Sequence, residues 1–370
     1  MKKKYKAVII NGRKLLRNAG LAAIATVIAL GFILGAKISG VTINKNQKSK
    51  DSEISTGKLL SFFSFENIVK SELSWVSEEN AAVPTFNEKN ADRKAVLPET
   101  GKLIGLSGEL PIRPIDSSQK KALGKGETSG ISIKNETSYK IDVSSLLSED
   151  LNIDMTKSGP KVLIVHTHGS EAYTGEGKDF YIKGTGDRNT DTSFNVVAVG
   201  DDVTKILEKK GIEVIHDRNM HDVPNYNKSY ASSLSAIEKY KAEYPSICVV
   251  LDIHRDAIVY SDGTKAKTVT EIDGKNAAQL MFVVGTNAGG LTHDNWRENL
   301  KFAVKLQDAI SKKYSSLMRS INLRRERFNG HTTKGSIIIE VGTSGNTLSE
   351  AKYGAGLAAG VIGDFLKQFD

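Results

Sequence analysis

Residues 161–171 read Lys161-Val-Leu-Ile-Val-His-Thr-His-Gly-Ser-Glu171, an unbroken apolar run that leads into two histidines and a glutamate. Two later stretches have the same form: Ile247-Cys-Val-Val-Leu251 leads into Asp252-Ile-His254, and Ser336-Ile-Ile-Ile339 leads into Glu340-Val-Gly342. Continuous runs of Val and Ile are typical of parallel strands that are buried on both faces. Polar groups that follow such strands gather at the carboxyl edge of an open α/β sheet, where these sheets bind ligands. The three stretches therefore predict one shared site.

The apolar pattern from Pro160 onward alternates between strand and helix periodicity. This alternation predicts an α/β fold with a mostly parallel twisted sheet and helices on both faces. Local signals mark its turns and helix ends: a helix start at Asp191 or Thr192, a helix end at Gly211, a hairpin turn at Asp273-Gly274 between strands Lys267–Ile272 and Ala277–Val284, and a capping box at Thr347–Glu350.

The excess of basic residues is confined to the N-terminus. The chain has 51 Lys and Arg against 43 Asp and Glu. Seven of the basic residues precede residue 18, where there is no acidic residue: Lys2, Lys3, Lys4, Lys6, Arg13, Lys14 and Arg17. The rest of the chain is nearly neutral, so an extended basic surface for nucleic acid is excluded and no nucleic-acid partner is expected.

An uncharged apolar stretch, residues 19–36, follows this basic tail. It is long enough to span a bilayer, which takes about 18–20 residues. By the positive-inside rule, residues 1–18 form a cytoplasmic tail and the chain after residue 36 lies outside the cytoplasm. The alternative is a cleaved signal peptide, but the stretch exceeds the ~7–15 residues of a signal core. We therefore predict a single-pass protein of the cell membrane.

Between the anchor and the α/β domain, residues 37–159 are rich in polar residues and are predicted to be an extracytoplasmic linker with short ordered pieces. Apolar residues at helical spacing predict an amphipathic helix near 57–78, suited to packing against protein or to resting on the membrane surface. The catalytic domain is predicted to span residues 160–370. Cys248 is the only cysteine, so a metal site has to use histidine and carboxylate ligands.

The polar strand ends match the ligands of a catalytic zinc site, which uses three protein ligands and an open position for water. His168 and Glu171 form a compact pair within one turn, and His254 supplies a distant third ligand. His166 competes with His168 for the first position, because strand alternation places both on one side. Glu340 ends a buried apolar run, where an unpaired carboxylate is costly, so we assign it a catalytic role.

The remaining histidines receive plainer interpretations. His216, His221 and His293 are expected to be structural, and His331 lies in a loop from which it could contact substrate. Asp252 or Asp256 could orient a metal-bound histidine through its second ring nitrogen. The same acids could equally form ordinary ion pairs.

Taken together, the His166–Tyr173, Asp252–Asp256 and Glu340–Gly342 motifs resemble those of the stage II sporulation protein P family, membrane-anchored cell-wall hydrolases of endospore-forming bacteria. The resemblance covers about residues 160–370. It implies a fold similar to the zinc-dependent N-acetylmuramoyl-L-alanine amidases and cleavage of the amide between N-acetylmuramic acid and the first alanine of the peptidoglycan stem peptide. It also implies cleavage of peptide cross-links, a role in engulfment, and stage II sporulation proteins D and M as partners.

Two other functions remain open from the sequence. The same ligands describe a zinc carboxypeptidase-like peptidase, and a third possibility is a non-catalytic anchored scaffold with a vestigial site. The intact Glu340 argues against the scaffold, since a protein without activity does not need a general base.

Overall fold

The computed structural model describes residues 108–119 and 130–369. The basic tail, the apolar stretch 19–36 and the helix predicted near 57–78 lie outside these residues. Across the two described ranges, no helix has the length and apolar character needed to cross a bilayer.

The described residues form two β-sheets and the helices that pack against them. The strands are β1 (Glu109–Ile115), β2 (Ile133–Asn135), β3 (Val162–Val165), β4 (Phe180–Ile182), β5 (Val214–His216), β6 (Val249–Asp256), β7 (Lys265–Ile272), β8 (Lys275–Ala278), β9 (Leu280–Val284), β10 (Ile321–Leu323) and β11 (Gly335–Thr343). The helices are α1 (Val143–Ser148), α2 (Val196–Lys209), α3 (Ser229–Glu243), α4 (Trp296–Lys313) and α5 (Leu348–Leu366), with 3-10 turns at Tyr226–Lys228, Gly330–Thr332 and Lys367–Phe369.

The larger sheet has seven strands in the order β2-β10-β9-β11-β6-β3-β5. Each neighbouring pair is parallel except β9 with β11. The predicted α/β class is confirmed. The strands of the three sequence motifs, β3, β6 and β11, lie side by side and run in one direction, so their carboxyl ends form one continuous edge.

Side chains of these strands alternate between two cores. In β3, Val162 and Ile164 pack into the larger core with helices α2, α4 and α5, whereas Leu163 and Val165 pack into the smaller core with Ile237 of α3. Helices therefore cover both faces of the sheet, and each such fully buried aliphatic side chain contributes about 1.5–3 kcal/mol.

The smaller sheet has the order β4-β1-β7-β8. The predicted hairpin between β7 and β8 is confirmed, with Asp273 at φ 50° and Gly274 at φ 71°, as a two-residue type I′ turn requires. The prediction of one strand over Ala277–Val284 is wrong, because the run breaks at the buried Gln279. Its side chain accepts from Ser117 N at 2.7 Å and donates to Ser316 O at 2.8 Å. These bonds place β8 in the smaller sheet and β9 in the larger one.

The N-caps of α2 and α5 can be compared with the helix starts predicted from the sequence. The predicted start of α2 at Asp191 or Thr192 is wrong: Asp191 accepts from Ser193 N in its own turn, and Asn195 caps the helix through Val197 N. The capping box of α5 at Thr347 is confirmed.

Three elements precede residue 160, in the region expected to be linker with short ordered pieces. Strand β1 pairs in parallel with β7, strand β2 pairs in parallel with β10, and Glu149 after α1 bonds Arg297 of α4 at 2.5 Å. Both sheets thus include residues that come before the predicted catalytic domain.

Candidate metal centre

The carboxyl ends of β3 and β6 bring two histidines and a glutamate together. The ligand atoms of His168, Glu171 and His254 all lie within 4.8 Å of one another. His168 Nδ1 is 3.4 Å from Glu171 Oε1, and His254 Nδ1 is 3.4 Å from Glu171 Oε2. Two imidazoles and one carboxylate are a set that catalytic zinc sites use, and one ion can reach all three. The donor chemistry of this cluster therefore fits zinc.

A tight turn after β3 creates the first half of the cluster. Glu171 N donates to His168 O at 3.0 Å, which places both side chains on one side of the turn. Arg255 then fixes this turn against β6: its backbone N–H donates to Glu171 Oε2 at 3.1 Å, and its side chain donates to Ala172 O at 3.1 Å and Asp187 O at 2.8 Å. The carboxylate position is thereby defined by backbone geometry.

Asp252 lies beside the second ring nitrogen of His254, at ion-pair distance but without an aligned hydrogen bond among the described residues. The distance from His254 Nε2 to Asp252 Oδ1 is 2.9 Å. Asp252 is itself fixed, because it accepts from Thr167 N at 2.8 Å and Thr167 Oγ1 at 2.6 Å. Of the two acids considered from sequence, Asp252 is the one beside His254, and Asp256 instead accepts from Arg319 at 2.8 Å. A carboxylate behind a histidine is the arrangement that raises the basicity of metal ligands.

Neighbouring charges outweigh burial in setting the pKa values of His254 and Glu171. Burial alone would lower the pKa of His254, but the Asp252 and Glu171 carboxylates outweigh burial and hold that pKa well above its usual value. Burial likewise opposes ionisation of Glu171, yet His168 and His254 lower its pKa well below the ordinary range. The site therefore favours a positive charge between its carboxylates, which a metal cation can supply in place of a proton.

Glu340 lies next to this cluster on β11, where its Cα pairs in register with that of His254. Part of the residue is accessible, but its Oε2 is buried and has no hydrogen-bond partner among the described residues. Burial raises the pKa of Glu340 to about 8, against the attraction of His254 and with added repulsion from Asp256 and Glu171. A carboxyl group in this state can carry a proton at neutral pH.

His166 does not join the cluster. It continues the β3 alternation on the α2 side of the sheet, where Nδ1 lies 3.0 Å from Ile253 O and Nε2 lies 2.8 Å from His216 Nε2. Strand alternation predicts that 166 and 168 lie on one side, but β3 ends at Val165 and the chain turns over residues 167–170. Of the two competing histidines, the structure brings His168 to Glu171 and His254.

The remaining histidines lie away from the cluster. His221 contacts Asp217 and Ser232, as a structural histidine would. His331, considered as a substrate contact, packs edge-on against His293 at 6.4 Å between ring centres.

Sequence reasoning missed the aromatic wall of the site. The ring of His168 stacks on Tyr226 at 4.7 Å and meets Tyr230 edge-on at 5.5 Å. The guanidinium of Arg188 lies over the same Tyr226 ring at 4.6 Å. These residues come from two separate loops and the start of α3. Only the four-residue spacing of the two tyrosines was available as a sequence signal.

Comparison with family profiles matches residues 41–363 to stage II sporulation protein P (SpoIIP). The chain belongs to the stage II sporulation protein P family. The match includes the whole cluster and Glu340, and it extends N-terminally to the stretch before β1. None of the curated proteins matches this family member.

Solved structures similar to this stage II sporulation protein P family member include three N-acetylmuramoyl-L-alanine amidases. AmiC2 of Nostoc punctiforme is 14% identical, with a TM-score of 0.34 and coverage of 57% of this chain and 99% of that chain. The catalytic domain of CwlV from Bacillus (Paenibacillus) polymyxa var. colistinus is 14% identical (TM-score 0.32; 56% and 97%). The amidase of Clostridium difficile 630 is 17% identical (TM-score 0.32; 57% and 98%).

Proposed function

We propose that this protein is a zinc-dependent peptidoglycan hydrolase that cleaves the amide between N-acetylmuramic acid and the L-alanine of the stem peptide. The observation that carries the proposal is the convergence of His168, Glu171 and His254 beside Glu340, whose buried carboxyl oxygen can carry a proton. Membership of the stage II sporulation protein P family supports a peptidoglycan substrate and a role in sporulation.

The chain's own residues divide the work. Zinc, when bound by the two histidines and Glu171, supplies Lewis acidity, which activates water and polarises a carbonyl. The Asp252 carboxylate beside Nε2 of His254 stabilises a proton on that nitrogen, and the Arg255 N–H keeps Glu171 in place. Glu340, when ionised, accepts a proton from the attacking water at its buried carboxyl oxygen and passes it to the departing amine, a general base and acid role that typically contributes about 10²–10⁴-fold.

Digestion of purified peptidoglycan by the full chain tests the proposal. Mass spectrometry of the soluble products should find glycan with free lactyl carboxylates and peptides with free N-terminal alanine. A chelator should abolish the reaction, and added zinc should restore it. Stem peptides shortened only from their carboxyl ends would contradict the amidase and support the peptidase alternative.

We also propose that residues 19–36 anchor the protein in the cell membrane, with the hydrolase domain outside the cytoplasm. Cleavage of peptide cross-links and association with stage II sporulation proteins D and M belong to the same proposal. Dimeric muropeptides as substrates test the first of these, and co-purification of the three proteins from membranes tests the second.

A further inference from the structure

A cleft of about 470 Å³ opens beside the metal cluster. Its walls include Arg188, Asp222, Val223 and Tyr226. Val223 and Tyr226 are 43% and 41% exposed, so the cleft presents apolar surface next to one guanidinium. The Tyr226 ring also stacks on His168, so one wall of the cleft contacts a proposed zinc ligand.

The guanidinium of Arg188 is held from one side. Its Nη1 donates to Asp222 Oδ2 at 2.6 Å and to Ser170 Oγ at 3.1 Å, and the Tyr226 ring lies against it. Nη2 is 3.8 Å from Glu171 Oε1 and makes no hydrogen bond within the described ranges. The Arg188 side chain is 38% exposed, whereas the Asp222 side chain is only 1% exposed.

Asp222 does not need Arg188 to satisfy its carboxylate. The carboxylate also accepts from Ser170 Oγ at 2.5 Å and from Ser170 N at 3.2 Å. Arginine has five N–H donors in a planar fork, and the two bonds described use only Nη1. The remaining donors of an oriented, partly exposed guanidinium match a carboxylate, which arginine binds with two parallel hydrogen bonds.

We propose that the cleft of Arg188 and Tyr226 binds a carboxylate on the peptide side of the substrate, within the first two residues beyond the scissile bond. The inference rests on the proposed function, because in that substrate the lactyl carboxyl is part of the scissile amide and the free carboxylates lie in the peptide. Nη2 of Arg188 lies 3.8 Å from Oε1 of the proposed zinc ligand Glu171. An extended peptide advances about 3.3–3.6 Å per residue, so a carboxylate at Arg188 belongs to a residue close to the scissile bond. Arg188 is therefore a specificity-determining residue for an internal acidic group.

Binding of three short peptides to the zinc-loaded full chain tests this assignment by calorimetry. The first is the alanine–glutamate dipeptide of the stem. The glutamate carboxyl that continues the stem is blocked, and the other carboxylate, which is internal in the intact stem, is free. The second carries a primary amide in place of that carboxylate. The third has the amide and a free carboxyl terminus. None contains the muramoyl amide, so binding is measured without amide cleavage.

The first peptide should bind about tenfold to a hundredfold more tightly than the second, the range expected for charge-assisted hydrogen bonds. Arg188→Gln should reduce this ratio to within about twofold and leave the affinity for the amide peptide unchanged. Arg188→Lys should keep part of the preference, because it keeps the charge but loses the fork. Arg218→Gln is the matched control: Arg218 is also an exposed arginine bonded to an aspartate, Asp201, and neither residue lines the cleft. Melting temperature and zinc content check each variant.

Equal affinity of the wild-type chain for the first two peptides would overturn the proposal, as would a preference that persists in Arg188→Gln. Tighter binding of the third peptide than of the first would assign the cleft to a chain terminus and also overturn it. Peptidoglycan digestion is scored separately: an acid preference without amide cleavage contradicts the proposed function alone, and amide cleavage without an acid preference contradicts this inference alone.

Discussion

Replacement of Glu340 by glutamine should change the pH dependence of stability in the metal-free protein. The pKa of Glu340 rises from 4.5 to about 8 because its carboxyl is buried. In the unfolded chain this carboxyl releases its proton above about pH 4.5, whereas the folded, metal-free protein retains it until about pH 8. The retained proton therefore stabilises the folded state in full below the unfolded pKa of 4.5. This stabilisation is lost as the pH rises from 4.5 to about 8. Glutamine stays neutral and removes the dependence.

The size of the effect follows from the same two pKa values. At about 1.36 kcal/mol per pH unit, the interval from 4.5 to 7 corresponds to about 3 kcal/mol. Between pH 4.5 and pH 7, the difference in free energy of unfolding between chelated Glu340→Gln and the chelated wild type should therefore shift by about 3 kcal/mol in favour of the variant.

Denaturant unfolding of both chelated proteins between pH 4.5 and 8.5 measures this difference. Glu208→Gln, which changes an exposed carboxylate on α2, is the control and should show no such trend. A difference between Glu340→Gln and wild type that stays constant over the whole pH range would refute the argument from burial.

Three further outcomes are expected. Glu340→Gln should fold, retain zinc and lose nearly all peptidoglycan hydrolysis; substantial residual activity would remove Glu340 from catalysis, and loss of zinc would make it a ligand. His254→Ala should lose most bound zinc by elemental analysis, and full occupancy in this variant would contradict the ligand assignment. His166→Ala should keep its zinc but lose about 1–3 kcal/mol of stability, since His216 loses its buried partner. Protease added to intact protoplasts should degrade the hydrolase domain if residues 19–36 are the proposed anchor, and complete protection would reverse the orientation.

The parallel core of the fold was predictable because its strands are buried on both faces. Such strands appear in sequence as unbroken aliphatic runs, and β3, β6 and β11 were found from them together with the polar residues at their ends. The same signal fails where one apolar run serves two sheets. In Ala277–Val284 a single buried polar residue, Gln279, redirects the chain, and its partners, Ser117 and Ser316, are distant in sequence.

The candidate site was predictable only as far as local pattern reached. Alternation holds only to the last paired residue of a strand, so it predicted His166 and His168 on one side and could not foresee the turn that separates them. The turn depends on Thr167 bonding Asp252 of a different strand. Arg188 and Tyr226 reach the site from separate loops. Contacts between loops that are distant in sequence produce no regular residue spacing from which they could be predicted.

The contacts of Arg255 have a consequence for how the proposed zinc site would acquire a cation. One residue joins the strand that carries His254, the turn that carries Glu171, and the loop at Asp187, so the ligands are held in place before an ion arrives. The conformational entropy cost of ordering these residues, about 1–2 kcal/mol per residue, then opposes folding and does not weaken metal binding. We expect loading to be fast, limited by exchange of water on the ion, with equal amide hydrogen exchange in this turn before and after loading. The same contacts disfavour ions that require more than the three ligands offered, because opening the turn to admit another would break the bonds of Arg255.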